Sequence, residues 1–204
     1  DVTRLIEYLP DVQPTLLFSV PRIFNRIYDG LNKKMAAAPA IRRKLFNLAM
    51  SAAKQRREMD GKGQSSPWLH IKLAVFDRIV FSKVRDRLGG RLRCAFSGGA
   101  AISREVAEFI DDVGVLVYEG YGLSETSPIA TMNYPDNKML GSVGRPIPDV
   151  EIIIDTDAVG GAMGKEGEIL IKGPNVMQGY HNLPEQTAAV MREDGAFRSG
   201  DLGW

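Results

Sequence analysis

The sequence predicts an α/β fold with parallel strands, and two observations predict it. Between Leu92 and Tyr118, an apolar run, a glycine turn, an amphipathic stretch and a second apolar run follow in order. That is a βαβ unit, which implies parallel strands in a layered fold. After about Gly141 the chain changes to short β-type segments separated by Gly- and Pro-rich turns. The reading is therefore of two parts. Residues 1–140 carry long helices and the parallel βαβ layer, and residues 141–204 form a small β-rich subdomain.

Each element has its own signal. In Pro21–Met35, Ile23, Phe24, Ile27, Tyr28 and Leu31 recur at spacings of one, three and four, which predicts one apolar helical stripe. Pro21 suits the first turn, where a missing N–H does no harm. Ile41–Met59 predicts a second helix, with Leu45, Leu48 and Ala49 inward and Arg42, Arg43, Lys54, Arg56 and Arg57 outward. Gly61–Pro67 is a polar loop, and Trp68–Leu88 a third helix stopped by Gly89 and Gly90. Leu92–Phe96 reads as a buried strand, Ser97–Ala100 as a turn, and Ser103 as the cap of a helix reaching Asp112. On that helix Glu105, Glu108 and Asp111 are expected to face solvent. Val115–Tyr118 is the next strand. Glu151–Asp155 and Glu168–Lys172 are strands of a small antiparallel sheet or part of a barrel, separated by a turn over Val159–Gly164. Pro184–Met191 is a short helix with Asn182 as its cap.

Composition narrows the class. Of 204 residues, 44% are hydrophobic and 25% charged, which is ordinary for a globular protein. No apolar run approaches the ~20 residues of a membrane span, and the N-terminal segment is too charged for a signal peptide. The single cysteine, Cys94, excludes an internal disulfide. His70 and His181 lack metal-ligand spacing, and no nucleic-acid module is visible. The net charge of +1 conceals an asymmetry, because residues 33–93 hold 16 Lys/Arg and only 4 Asp/Glu. Solvated helix faces explain such a run most simply. A basic surface for anionic lipid head groups or phosphates is the sharper reading.

The residues that carry chemistry cluster in Gly120-Tyr121-Gly122-Leu123-Ser124-Glu125-Thr126. An aromatic ring between glycines can stack on a purine while backbone approaches the ligand. Ser124 offers a hydroxyl to phosphate, and Glu125 a hard oxygen of the kind Mg²⁺ takes. The alternative is a strand-to-loop turn with a buried tyrosine and a capping hydroxyl, and these seven residues alone leave both open. Arg198-Ser199-Gly200-Asp201-Leu202-Gly203 adds a carboxylate in a tight, glycine-flanked turn, where it can accept from a sugar diol. The Ser97–Ala100 turn and the Gly120–Glu125 segment both follow strands of the βαβ unit and belong at the carboxyl edge of its sheet, where such folds bind ligands.

The wider set resembles the adenylate-forming superfamily of acyl-CoA synthetases, luciferases and peptide-synthetase adenylation domains. Gly120–Thr126 resembles its Tyr-Gly-x-Ser/Thr-Glu signature. Ser97-Gly98-Gly99-Ala100, Gly141-Ser142-Val143-Gly144-Arg145-Pro146, Gly167-Glu168-Ile169-Leu170 with Gly173 and Gly179-Tyr180, and Phe197-Arg198-Ser199-Gly200-Asp201 resemble further blocks in the family's order. Ser19–Phe24, the long helical stretch and Phe81–Arg93 are similar to the long-chain fatty-acid–CoA ligases.

The resemblance implies that this is part of the large N-terminal domain of such an enzyme. It implies ATP, Mg²⁺ and CoA, with a long-chain fatty acid activated to acyl-AMP and passed to CoA. Tyr121 would stack on adenine, with Glu119 and Gly120 near its edge. Gly98, Gly99 and Ala100 would line the junction of adenine and acyl carboxylate. Ser124 would contact the α-phosphate, Glu125 would ligate Mg²⁺, and Asp201 would hold the ribose. Ser124 and Ser199 stand where the family often has Thr, and Glu119 where an amide is frequent. The family's phosphate loop, and its C-terminal domain with a hinge and a lysine, are not in this sequence. The expectation is thus an internal segment, inactive alone. The alternatives are a fatty acyl-AMP ligase, a ligase for another carboxylic acid, or a non-catalytic lipid or nucleotide binder. A homodimer, a cytoplasmic location and a peripheral place on the inner face of a membrane complete the expectations.

Overall fold

The computed structural model describes residues 4–159 and 165–204. The chain divides into two units, 1–118 and 119–204. The boundary between these units falls inside a strand.

In the first unit, α1 (Leu5–Val12) leads to β1 (Leu16–Ser19). Neither is predicted from the sequence, because both are too short for a period to stand out. Then α2 (Pro21–Ala36) buries Ile23, Phe24, Ile27 and Leu31, the predicted stripe. In α3 (Ala40–Asp60) the predicted face is corrected. The buried residues are Phe46, Ala49, Ala52 and Ala53, while Leu48 is exposed.

The predicted helix Trp68–Leu88 is three pieces. They are α4 (Pro67–Phe76), a π-helical turn over Asp77–Phe81, and α5 (Ser82–Asp86). The wider turn lets the consecutive Val80 and Phe81 both be buried, between Phe76 and Val84. Ser66 caps α4, its Oγ accepting from the Leu69 N–H at 3.4 Å. Beyond α5, Gly89 is required: its φ is +96° and a Cβ there would lie 2.6 Å from the Leu9 carbonyl oxygen.

The strand β2 (Cys94–Ser97) runs parallel to β1, with Leu16 opposite Cys94 and Ser19 opposite Ser97. Next, α6 (Arg104–Asp112) starts at Ser103, whose Oγ accepts from the Val106 N–H at 3.3 Å, and buries Val106, Ala107, Phe109 and Ile110. The acidic face of α6 is not simply solvated. Arg57 of α3, expected outward, turns in and donates to Glu108 Oε2 at 2.8 Å and to Asp112 Oδ1. Arg104 also pairs with Glu108 at 2.8 Å, and Tyr28 donates to Glu105. Burial drives this pairing, since Asp112 is buried and needs a partner. After α6 the chain enters β3 (Leu116–Tyr121), which crosses the unit boundary.

In the second unit the end of β3 pairs antiparallel with β4 (Thr131–Met132), Tyr121 opposite Thr131, and β4 pairs with β5 (Arg145–Pro146). A separate antiparallel sheet has the order β6 (Glu151–Asp155), β7 (Gly167–Lys172), β8 (Phe197–Gly203). The expected tight turn at Arg198–Gly203 is thus an irregular strand. Its register slips, with Leu170 opposite Arg198 but Glu168 opposite Leu202. Ser199, Gly200 and Asp201 bulge from the ladder, with Gly200 at φ +75°. The short helix α7 (Pro184–Val190) has Leu183 at its N-cap without a side-chain hydrogen bond, so Asn182 is not the cap. The predicted Val159–Gly164 turn lies, past Val159, outside the described residues. Ala130, Val150, Ile171 and Phe197 form the buried core of this unit.

Candidate functional site

The site is built where β3 ends and β8 bulges. Tyr121 is the last residue of β3 and packs against the Ala130–Val150–Ile171–Phe197 cluster. Its hydroxyl donates to Asp201 Oδ2 at 2.8 Å. Burial, followed by the Asp201 carboxylate, raises the Tyr121 pKa well above that of an ordinary phenol, outweighing a hydrogen bond to Ser199. The phenol therefore stays protonated and keeps donating. Glu168 holds the bulge that presents Asp201: Oε1 accepts from the Gly200 N–H at 3.2 Å and Oε2 from Arg198 at 3.0 Å.

The turn that follows Tyr121 is shaped by its own backbone. A Cβ on Gly122 would sit 1.9 Å from the Pro128 carbonyl oxygen, so only glycine fits. The room this glycine leaves is taken by protein, not by a ligand. Thr126 is fully buried and pegs the turn. Its Oγ1 accepts from the Leu123 N–H at 2.9 Å and lies 3.0 and 3.1 Å from the Leu123 and Pro128 carbonyl oxygens. Between these anchors, Ser124 is exposed and Glu125 half-buried in a 3₁₀ turn, Ser124–Thr126.

Glu125 is gripped at two points. Its carbonyl accepts from the Met177 N–H at 2.7 Å, and its Oε1 from the Tyr180 hydroxyl at 2.9 Å. The bond to Glu125 is the main cause that raises the Tyr180 pKa above its ordinary value, so this phenol is also a permanent donor at neutral pH. Glu119 is buried, and its Oε1 accepts from the Gly141 N–H at 3.1 Å. With the buried Asn133, which accepts from the Met139 N–H at 3.0 Å and donates to the Ser142 carbonyl, Glu119 ties down the 133–142 loop.

In the first unit, the Gly98 N–H donates to the Ser19 carbonyl at 3.3 Å. Gly99 has φ +79°, and Ala100 is exposed. The preceding Ser97 hydroxyl is buried and has no hydrogen-bond partner among the described residues.

The sequence matches the family of AMP-binding enzymes over residues 1–181. The chain belongs to that family. It is 38% identical over 210 residues to the peroxisomal long chain acyl-CoA synthetase 6 of Arabidopsis thaliana, covering 100% of this chain and 28% of the relative. It is 36% identical over 203 residues to the long-chain-fatty-acid–CoA ligase FadD15 of Mycobacterium bovis, covering 100% of this chain and 32% of the relative. The chain thus spans about a third of the length of the curated relatives it matches. Among solved structures, ATP-bound MatB from Rhodopseudomonas palustris matches with a TM-score of 0.60 and 25% identity, over 100% of this chain and 30% of that one. Such neighbours place the α/β fold among adenylate-forming enzymes.

For this AMP-binding chain, the structure joins Tyr121 to Asp201, and sets Ser124 beside Glu125 in one turn. It turns Glu119 to Gly141, and it places Gly98, Gly99 and Ala100 in the first unit. Among the described residues no three His, Cys, Asp or Glu side chains converge as a metal cage. One carboxylate fits Mg²⁺, which takes few protein ligands and fills its shell with phosphate oxygens and water. Tyr180, Glu168 and Asn133 are functional-site neighbours that sequence reasoning misses. Tyr180 sits in a recognised Gly-Tyr pair, yet its bond reaches 55 residues back along the chain, and no local pattern encodes that.

Proposed function

We propose that the protein carrying this chain is an ATP-dependent, AMP-forming ligase that activates a long-chain fatty acid and transfers it to CoA. One observation carries the reading. Glu125 has one carboxylate oxygen, Oε1, held by the Tyr180 hydroxyl at 2.9 Å, and the other, Oε2, without a hydrogen bond among the described residues. That is the donor an Mg²⁺–nucleotide complex needs. Identity of 36–38% to long-chain ligases along the whole chain supports the substrate class.

In the first half-reaction, a fatty-acid carboxylate oxygen bonds to the α-phosphorus of ATP, and the bond to pyrophosphate breaks. In the second, CoA sulfur bonds to the acyl carbonyl carbon after losing its proton, and AMP leaves. Tyr121 presents an aromatic face for adenine, and Asp201 a carboxylate for the ribose hydroxyls. Ser124 offers its exposed hydroxyl to the α-phosphate. Gly98, Gly99 and Ala100 offer backbone at the junction of adenine and acyl group. Glu125 would hold Mg²⁺, which neutralises phosphate charge when bound. No side chain here is asked to be a nucleophile, so positioning and electrostatics carry the rate.

The test is pyrophosphate release and acyl-CoA formation by the full-length protein with ATP, CoA and palmitate. Glu125→Ala is expected to lower the rate by about 10²–10³-fold, as loss of a preorganised electrostatic group does. Accumulation of acyl-AMP without acyl-CoA would make it an acyl-AMP ligase. Release only with a different acid would reassign the substrate, and nucleotide binding without turnover would leave a non-catalytic homologue.

A second reading concerns location, and the helical region favours it. Trp68, Ile71 and Val75 of α4 and Ile79 of the π-helical turn after it are 43 to 74% exposed. Lys72, Arg78 and Lys83 on the same segment are exposed too. Apolar side chains flanked by cations suit the surface of an anionic bilayer, where a long-chain acid also partitions. No described helix is long and apolar enough to cross a membrane. This reading puts the protein on the cytoplasmic face of a membrane as a peripheral protein. Flotation with vesicles containing phosphatidylserine tests it. Binding should weaken with salt and with Ile71→Ser/Val75→Ser, and binding indifferent to both lipid charge and salt counts against it.

A further inference from the structure

We propose that Tyr180, backed by Thr187, is a positioning residue that orients the Glu125 carboxylate toward its cation. The inference rests on the reading of Glu125 as the metal ligand and adds a device that the reading does not contain.

The geometry is a brace with three bonds in series. The Tyr180 hydroxyl donates to Glu125 Oε1 at 2.9 Å. The Tyr180 N–H donates to Thr187 Oγ1 at 2.9 Å, and Thr187 Oγ1 donates to the Leu183 carbonyl at 3.0 Å. Thr187 lies in the first turns of α7, so a helix stands behind the tyrosine. Gly179 makes the fit possible. Its φ is +151°, and a Cβ there would meet Thr187 Cγ2 at 2.7 Å. Two residues before it, the Met177 N–H holds the Glu125 carbonyl at 2.7 Å, and Met177 itself packs on the buried core. One segment, 177–187, thus fixes both the backbone and the side chain of Glu125.

The chemistry of the partner matters. An arginine or lysine at this place would neutralise the carboxylate and compete with a cation. A phenol is uncharged, donates one hydrogen bond and occupies only one oxygen. The carboxylate is held in one rotamer with Oε2 open. Metal-ligand carboxylates generally depend on such outer hydrogen bonds, and loss of one costs about 10- to 100-fold in metal affinity or activity. Tyr180→Phe keeps the ring and removes only the donor. Glu125 can then rotate, and the cation must organise it on binding.

The experiment uses the full-length protein and Mn²⁺ as a spectroscopic probe. Electron paramagnetic resonance follows Mn²⁺ bound with a non-hydrolysable ATP analogue, and Mg²⁺ activation of pyrophosphate release is measured alongside. Tyr180→Phe is expected to weaken Mn²⁺ binding by about 10- to 100-fold and to raise the Mg²⁺ needed for half-activation, with the KM for the fatty acid unchanged. Thr187→Val should shift both in the same direction by less, and Thr187→Ser should restore them. Should Tyr180→Phe fail to fold, the Thr187 pair carries the test. If Glu125→Gln abolishes Mn²⁺ binding while Tyr180→Phe or Thr187→Val leaves it unchanged, the brace is overturned and the site reading stands. If Glu125→Gln itself leaves Mn²⁺ binding unchanged, the reading of Glu125 falls, and the brace with it.

Discussion

The two units treat their carboxylates differently. In the first, buried Asp112 and half-buried Glu108 are met by the guanidinium of Arg57, and Arg104 adds a second cation. In the second, Glu125 and Asp201 are met by phenols, Tyr180 and Tyr121. A guanidinium closes the charge and fills the lone pairs, which suits a carboxylate whose task is to be buried. A phenol steers the carboxylate and leaves the charge for a ligand. The pairing alone is no signature of a site, because Tyr28 donates to exposed Glu105 in the first unit. What distinguishes Glu125 is the combination of partial burial, a neutral donor and a backbone locked on both sides.

The sharpest way to break the contrast is Arg57→Met. It would leave Asp112 buried without its cation, and loss of one partner of a buried pair costs about 3–5 kcal/mol. The denaturation midpoint of the protein should fall accordingly. The double variant Arg57→Met/Asp112→Leu should recover most of that loss. The pH dependence follows from the sign of the Asp112 shift. Burial raises its pKa above 3.8, with Arg57 pulling the other way. The folded state thus binds this proton more tightly than the unfolded state. The stability this group contributes is fully present below the unfolded value and is lost as pH rises through the raised folded value. Asp112→Asn should flatten the stability profile in the window between the unfolded and the raised folded value, and Arg57→Met should steepen it. A profile unchanged by either substitution would mean that Asp112 is not held as described.

The next effects sit in the turn between Tyr121 and Glu125. Thr126→Val keeps the shape but strips the Leu123 N–H of its acceptor, which should cost about 1–3 kcal/mol. Gly122→Ala must displace the Pro128 carbonyl and should cost a similar 1–3 kcal/mol. Either change moves Glu125, so metal affinity should fall with stability. If stability falls and Mn²⁺ binding holds, the turn is scaffold only.

These residues also show what was legible. The helix α2, the cap at Ser103, and the strands β6 and β7 follow from period, capping chemistry and β-propensity, all of them local. The Tyr-Gly-x-Ser-Glu block was legible as a unit because its residues are adjacent. The slip in β8 was not, since it is set by Glu168 on another strand reaching the Gly200 N–H and Arg198. The inward turn of Arg57 and the bond from Tyr180 to Glu125 were missed for the same reason: each spans more than 50 residues. Sequence patterns report which face of an element is apolar. They do not report which charge on one element meets which on another.

A smaller effect is expected from Tyr121→Phe. The ring and its packing remain, and only the donor to Asp201 is lost, so stability should change by about 0.5–1.5 kcal/mol. The comparison with Tyr180 becomes quantitative here. If phenols steer functional carboxylates, Tyr121→Phe should raise the KM for ATP and leave the Mg²⁺ dependence alone, while Tyr180→Phe should do the reverse. Asp201→Asn should mimic the first and not the second. Steady-state kinetics of the four proteins, wild type included, decide it. Equal shifts in both constants for both tyrosines would show that the two phenols serve one packed unit and not two separate ligand groups.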